Sequence, residues 1–316
     1  MDAVWLEGGE LSVREAEIPQ LPEGEALVRV LQAGICNTDL ELVAGYYPFR
    51  GILGHEFVGH VEEGPKALRG ARVVGEINAV CGECTQCTAG RSSHCLRRTV
   101  LGIKDRDGAF ARFLTLPVAN LHKVPDGIPN DAATLIEPLA AALRIQQQVP
   151  VGPGVRVLVV GTGKLGQLIA RTLSLVGCDL VALGRRPATL EMLRRQGLRT
   201  LQGSELEERS FDVAVECTGN ADGFDLARRA LRPRGTLVLK STYRGSLTLD
   251  AAPLVVDEIT LLGSRCGPFA PAIDLLAQRE LDLEDLIEAR YPLAEALGAF
   301  EHAARPGALK VLLQMD

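Results

Sequence analysis

Four of the eight cysteines in this 316-residue chain fall within CGECTQCTAGRSSHC, residues 81–95. Cys81, Cys84, Cys87 and Cys95 are spaced C-x2-C-x2-C-x7-C, and four thiolates can close a tetrahedral shell around Zn²⁺. A closed shell leaves no position for substrate, so the chemistry of such a site is structural. Three other readings compete. The bacterial iron–sulfur run opens similarly, but its last gap is three residues and a proline follows; here the gap is seven and Leu96 follows. The C-x-x-C pairs also resemble dithiol redox motifs, yet they sit in a loop of a β-rich stretch and not at a helix start. Disulfide frameworks suit small secreted domains, and this chain is long enough to rely on a core.

A second chemistry is carried by glycines. Gly161, Thr162, Gly163, Lys164, Leu165 and Gly166 spell G-T-G-K-L-G directly after the apolar run VRVLVV and at the start of the helical pattern KLGQLIARTLSLVG. In that setting the first glycine allows a tight turn, the second lets backbone approach a pyrophosphate, and the third lets helix pack on strand. The free N–H groups of the helix start then favour the anion. About twenty residues on, a site for NAD carries an acid that binds the ribose hydroxyls. Gly184 stands there instead, followed by Arg185 and Arg186. A 2′-phosphate would meet two guanidinium groups and no repelling carboxylate, which predicts NADP in preference to NAD. The competing reading is that two arginines at a strand end are only a solvated face.

Residues 1 to about 135 read as short extended runs punctuated by Gly and Pro, such as ALVRVL, ARVVGEI and ARFLTL. From Gly152 the texture alternates: strand VRVLVVG, helix KLGQLIARTLSLVG, strand DLVALG, helix TLEMLRRQG, strand FDVAVECTG, a helix through DLARRALRP, and strand GTLVLKS. Such alternation predicts a doubly wound parallel sheet with crossover helices. The terminal strand ALKVLLQM could complete either half on pattern alone.

With 47% hydrophobic and 23% charged residues the chain can bury a large core, and its length predicts two domains. A formal charge of -6 offers no basic surface for a phosphate backbone, so neither nucleic acid nor an anionic membrane is an expected partner. No segment approaches the ~18 apolar residues of a membrane span, and the N-terminus lacks a signal-peptide pattern; a soluble, cytoplasmic protein is expected.

A third constellation is dispersed: Cys36 in GICNTDLEL, His55 and Glu56 in GHEFVGH, and Glu137 in LIEPLAAAL. Taken singly, Cys36 reads as a small buried residue, His55 as a satisfied core histidine and Glu137 as a helix-start acid beside Pro138. Their order changes that. The C-N-T-D stretch, GHEFVG, the four-cysteine loop, GAFARFLTLPVANLHKVPDGI and VVGTGKLG together resemble the zinc-dependent medium-chain alcohol and polyol dehydrogenases along nearly the whole chain.

The resemblance implies an α/β architecture: a doubly wound parallel Rossmann sheet over 139–266 and a β-rich GroES-like catalytic domain over 1–138 and 267–316, with a structural zinc lobe at 81–95. It implies a second, catalytic zinc held by Cys36 and His55, with Asp39 orienting the imidazole. At the third position the alcohol dehydrogenase branch carries a cysteine; this chain has none between Cys95 and Cys178, and Glu137 resembles the glutamate of the polyol, glucose and threonine dehydrogenase branches. The resemblance leaves the last place in the shell open between Glu137, Glu56 and water, with Glu56 expected to exchange with the other two. Thr38 matches the family's proton-relaying hydroxyl, although Leu40 and Glu41 stand where many relatives carry a histidine. Thr218, in V-E-C-T-G, is expected near the cofactor, with Cys217 and Cys178 as packing residues.

The activity so implied is hydride transfer between a secondary alcohol, polyol or sugar-like hydroxyl compound, or the corresponding carbonyl, and NADP or NAD, in a homodimer or homotetramer. An L-threonine-type dehydrogenase is the alternative within enzymes. A noncatalytic zinc- and nucleotide-binding protein or a redox sensor is the alternative outside them.

Overall fold

The computed structural model describes residues 1–243 and 246–315. The chain divides into two compact units, Met1–Glu137 with Phe269–Asp316 and Pro138–Pro268.

The first unit is built around the strand Glu25–Gly34, which is buried along most of its length. It pairs antiparallel with Glu56–Glu63, with Phe113–Pro117 through its first half and with the terminal strand Lys310–Gln314 through its second. The terminal strand thus joins this sheet, where it also runs parallel to Ile287–Pro292. Its residues Val311, Leu312 and Leu313 are fully buried, a continuous apolar run that a strand covered on both faces requires. Register is what matters for function: Gly34 stands opposite Glu56, so the residues just after one strand lie beside those just before the other.

The second unit is a parallel sheet. Among the described residues its strands run Arg199–Leu201, Asp179–Leu183, Arg156–Val160, Phe211–Glu216, Leu231–Leu239 and Thr260–Gly263, in that spatial order. Numbered along this unit the order is 3-2-1-4-5-6, that of a dinucleotide-binding sheet whose order reverses at the first strand. Val157, Leu158, Val159 and Val160 of that strand are buried, each side chain contributing on the order of 1.5–3 kcal/mol. The helix Lys164–Ser174 buries Leu168, Ile169, Ala170 and Leu173 and carries the chain back to the second strand.

Candidate metal and nucleotide sites

Cys36 follows the inner strand by two residues, and His55 immediately precedes Glu56. The register between the two strands therefore gathers Cys36 Sγ, a ring nitrogen of His55 and a carboxylate oxygen of Glu56, all within 4.8 Å of one another. Cys36 also caps the helix Asn37–Val43. Its sulfur accepts from Thr38 N at 3.5 Å, and its own N–H donates to Asp39 Oδ2 at 2.8 Å. This reciprocal capping box fixes the cysteine and the aspartate together.

Asp39 is wholly buried, and its second oxygen lies 3.3 Å from His55 Nδ1. The approach is close but not aligned, since neither atom completes a hydrogen bond. With Nδ1 turned to a carboxylate, Nε2 is the nitrogen left for a metal. Burial pushes the imidazole towards its neutral form, but Asp39 and then Cys36 outweigh it, and the His55 pKa stands well above its ordinary value. Glu56 Oε1 is likewise buried without a partner. Thiolate, imidazole and carboxylate are the ligand types of Zn²⁺, and a cation among them would satisfy atoms that are otherwise orphaned. The residues fit the metal.

The remaining Glu56 oxygen pairs with Lys310, only 4% exposed, whose ammonium also donates to Ile35 O at 3.3 Å. Burial lowers the Lys310 pKa, but the carboxylate of Glu56 and the sulfur of Cys36 raise it further, so it stays charged. Gly34 leaves room for this pair, since an ideal Cβ there would lie 2.5 Å from Glu56 Oε2. Sequence reasoning missed Lys310. Its one signal was a cation inside the apolar run ALKVLLQM. Thr38 is half-buried with its hydroxyl 3.7 Å from Cys36 Sγ. Glu137, half-buried in the first turn of the helix Ile136–Gln148, lies outside the group formed by Cys36, His55 and Glu56.

Cys81, Cys84, Cys87 and Cys95 form the other group. Cys84 opens the short helix Thr85–Thr88, and the turn Ser92–His94 brings Cys95 back onto it. Sulfur separations are 3.4 Å for Cys95 and Cys81, 3.6 Å for Cys84 and Cys87, and 3.8 Å for Cys84 and Cys95. Zinc–thiolate bonds of about 2.3 Å in a tetrahedron give an edge of about 3.8 Å, so four thiolates here fit one zinc ion. The N–H groups of Cys81 and Arg97 both reach Cys95 Sγ at 3.4 Å. Backbone N–H groups of Leu96 and Cys87 pull the Cys84 pKa down to about 6, while burial and the neighbouring Cys84 push Cys87 up to about 12. Near neutrality Cys84 is therefore ionised while Cys87 holds its proton.

In the second unit the strand Arg156–Val160 ends at Gly161, whose φ of +105° is suited to glycine and whose Cβ would meet Thr218 Cγ2 at 2.9 Å. Gly166 packs against that turn, its would-be Cβ 1.9 Å from Gly161 O. Gly163 caps the helix Lys164–Ser174 with no side chain to occupy its first N–H groups. Leu165 lies within its first turn. Gly184 follows the strand Asp179–Leu183, and Arg185 and Arg186 are exposed. Among the described residues neither guanidinium has a hydrogen bond or ion pair.

Thr218 hydrogen-bonds through both N–H and hydroxyl to Glu216 Oε1, which also accepts from Gly219 N at 3.0 Å; Tyr243 donates to Oε2 at 2.6 Å. Glu216 is completely buried, and this anchoring role was not legible in V-E-C-T-G. Burial raises the Cys217 thiol far above its ordinary range, consistent with packing and not with reactivity.

Comparison with known proteins bears on both units. Residues 22–126 match the alcohol dehydrogenase GroES-like domain, and residues 165–278 match the zinc-binding dehydrogenase domain. L-galactonate-5-dehydrogenase of Escherichia coli is 29% identical over 92% of each chain. L-threonine 3-dehydrogenase of Streptomyces coelicolor is 29% identical over 99% of each. Among solved structures, a protein of Sinorhizobium meliloti described as a zinc-binding dehydrogenase and bound to NADP superposes with a TM-score of 0.90. It is 30% identical, covering 99% of this chain and 98% of that one.

Proposed function

The chain belongs to the zinc-binding dehydrogenases that carry a GroES-like alcohol dehydrogenase domain, and from that premise we propose that it oxidises a secondary alcohol, polyol or sugar-like hydroxyl compound with NADP, or reduces the matching carbonyl. The observation that carries the proposal is the grouping of Cys36, His55 and Glu56 with Asp39 and Thr38 around one point. We assign one zinc to this group and a second, structural zinc to Cys81, Cys84, Cys87 and Cys95.

When bound, the metal supplies a Lewis acid that lowers the pKa of a substrate hydroxyl, and NADP supplies the hydride acceptor. Cys36, His55 and Glu56 hold the metal, and Glu137 is a further carboxylate for its shell. Asp39 keeps the imidazole oriented, and Lys310 offsets the negative charge that Glu56 brings into a buried space. Thr38 takes the hydroxyl proton and passes it towards solvent. Gly161, Gly163 and Gly166 admit the pyrophosphate, and Thr218 is held by Glu216 to meet the cofactor. A donor set with one thiolate is harder than the Cys2His set of alcohol dehydrogenase and suits oxygen-rich substrates. The galactonate relative points the same way. The threonine reading gains nothing over it, since the threonine relative is no more similar.

Metal analysis with a panel of polyols, sugar acids, simple secondary alcohols and threonine tests this reading. Two zinc ions per chain and turnover of a hydroxyl compound are expected; one zinc and no hydride transfer with any substrate would overturn it.

NADP is favoured because Arg185 and Arg186 stand free at the strand end with no acid beside them, and the Sinorhizobium meliloti relative was solved with NADP. Two charge-assisted contacts to a 2′-phosphate are lost in R185A/R186A. The Kd for NADP should rise roughly 30- to 100-fold while that for NAD changes less than about threefold. Equal effects on both cofactors would refute the assignment.

A homodimer, or a tetramer built from it, is proposed through the strand Thr260–Gly263. Among the described residues this strand has one neighbour, and Leu261, Val255 and Val256 nearby are 43%, 75% and 79% exposed. Sedimentation should give twice or four times the mass of the chain, and a monomer at micromolar concentration would exclude it. The reduced thiols that the four-cysteine shell needs support a cytoplasmic setting.

A further inference from the structure

Gly184 is not required by its backbone, whose φ lies outside the left-handed region. It is required by a neighbour. An ideal Cβ at this position would lie 2.3 Å from Thr162 Oγ1, closer than atoms approach, and in tight contact with Thr162 Cγ2 at 3.0 Å. Leu190 Cδ2, also 3.0 Å away, is the far end of a flexible side chain and can yield.

Thr162 cannot yield so easily. It is 5% exposed and β-branched, so its χ1 is stiff. Its hydroxyl shares a 2.7 Å hydrogen bond with Thr189 Oγ1. Its carbonyl accepts from Gln167 Nε2 at 3.3 Å, and the same amide holds Thr189 O at 2.7 Å. Gln167 is fully buried on the helix Lys164–Ser174, which ties the phosphate-binding turn to the start of the helix after Gly184.

We infer that Thr162 is the residue that fixes cofactor choice, by filling the space in which an acidic side chain at position 184 would begin. The acid that selects NAD accepts from the ribose hydroxyls and repels a 2′-phosphate. With Thr162 in place that carboxylate cannot be built, and the strand end is left to Arg185 and Arg186. The inference rests on the NADP reading and deepens it: the glycine is the consequence, and the threonine beneath it is the cause. Replacing the glycine alone will therefore not produce an NAD enzyme.

The test is a double-mutant cycle of G184D, T162A and G184D/T162A, read by calorimetric binding of 2′,5′-ADP and 5′-AMP to the full chain and by thermal unfolding. These probes engage the adenosine half alone and need neither hydride transfer nor substrate. Thr162→Ala leaves the Thr189 hydroxyl a partner, because it also donates to Arg186 O at 3.2 Å.

The parent should bind 2′,5′-ADP about 30-fold more tightly than 5′-AMP. Gly184→Asp alone should weaken both probes and lower Tm. Adding Thr162→Ala should restore Tm towards that of T162A and move the binding ratio at least about tenfold towards 5′-AMP. A parent that binds both probes equally overturns the NADP reading, and the cofactor role of Thr162 with it. A parent that discriminates, with G184D alone switching preference at unchanged Tm, overturns the inference about Thr162 and leaves the NADP reading standing. So does a double variant that recovers neither Tm nor binding.

Discussion

Cys36→Ser should lower kcat/KM by at least about 10³-fold and reduce the zinc content from two ions per chain to one. The sulfur has two duties. It is one of three donors within 4.8 Å of one another, and it caps the helix Asn37–Val43 through Thr38 N. Serine retains an oxygen that can cap that helix, so the fold should survive and the loss should fall on the metal. A serine hydroxyl gives up its proton far less readily than a thiol and is a poor zinc ligand, which leaves His55 and the carboxylates of Glu56 and Glu137 to hold the ion. Losing Lewis-acid assistance worth several kcal/mol corresponds to the expected rate loss at about 1.4 kcal/mol per factor of ten. Metal analysis beside steady-state kinetics checks it. Two retained zinc ions with unimpaired turnover would remove Cys36 from the site.

Cys95→Ala should have the opposite signature: the zinc at Cys36, His55 and Glu56 persists while residues 81–95 lose theirs and open to proteolysis. Cys95 is the one cysteine of its group that is fully buried, its sulfur facing Cys81 and Cys84 and accepting two backbone N–H groups. Little else organises this lobe. A four-residue helix, a three-residue turn and a two-stranded ribbon, Asn78–Ala79 with Thr99–Val100, are too short to stand without a metal.

The same site predicts a pH dependence. Cys84, with its pKa near 6, is ionised at pH 7, whereas Cys87, raised to about 12, still holds its proton and must release it to the metal. Zinc affinity of the lobe should therefore rise with pH from about 6 upwards and fall as acid returns protons to the thiols. Competition with a chelator between pH 6 and 8 measures this, with C95A reporting the other site alone. Retention of the second zinc that does not vary with pH would contradict the four-thiolate assignment.

Legibility in the sequence followed locality. The four-cysteine lobe and G-T-G-K-L-G were readable because their working groups lie within fifteen and six residues of one another, and short spacing leaves few ways to fold. The alternating pattern from Gly152 likewise indicated a parallel sheet, since each crossover helix follows its own strand. By contrast, Cys36, His55 and Glu137 had ordinary readings one at a time, and only the order of motifs along the chain singled them out. Lys310 had no motif at all: it meets Glu56 across 254 positions of sequence.

By itself, then, the sequence determined the elements, the glycine turn and the spacing of the thiols, because those depend on dihedral freedom, hydrophobic period and short chain segments. Only the tertiary structure decided which distant groups share a buried space. The pairing of Gly34 with Glu56 put Cys36 beside His55 and Glu56, the terminal strand delivered Lys310 to the same carboxylate, and the packing of Thr162 on Thr189 closed the space above Gly184. Those outcomes depend on strand register and side-chain volume: a one-residue slip between paired strands would turn Glu56 or Lys310 to the opposite face of its sheet, and a smaller residue at 162 would leave space above Gly184.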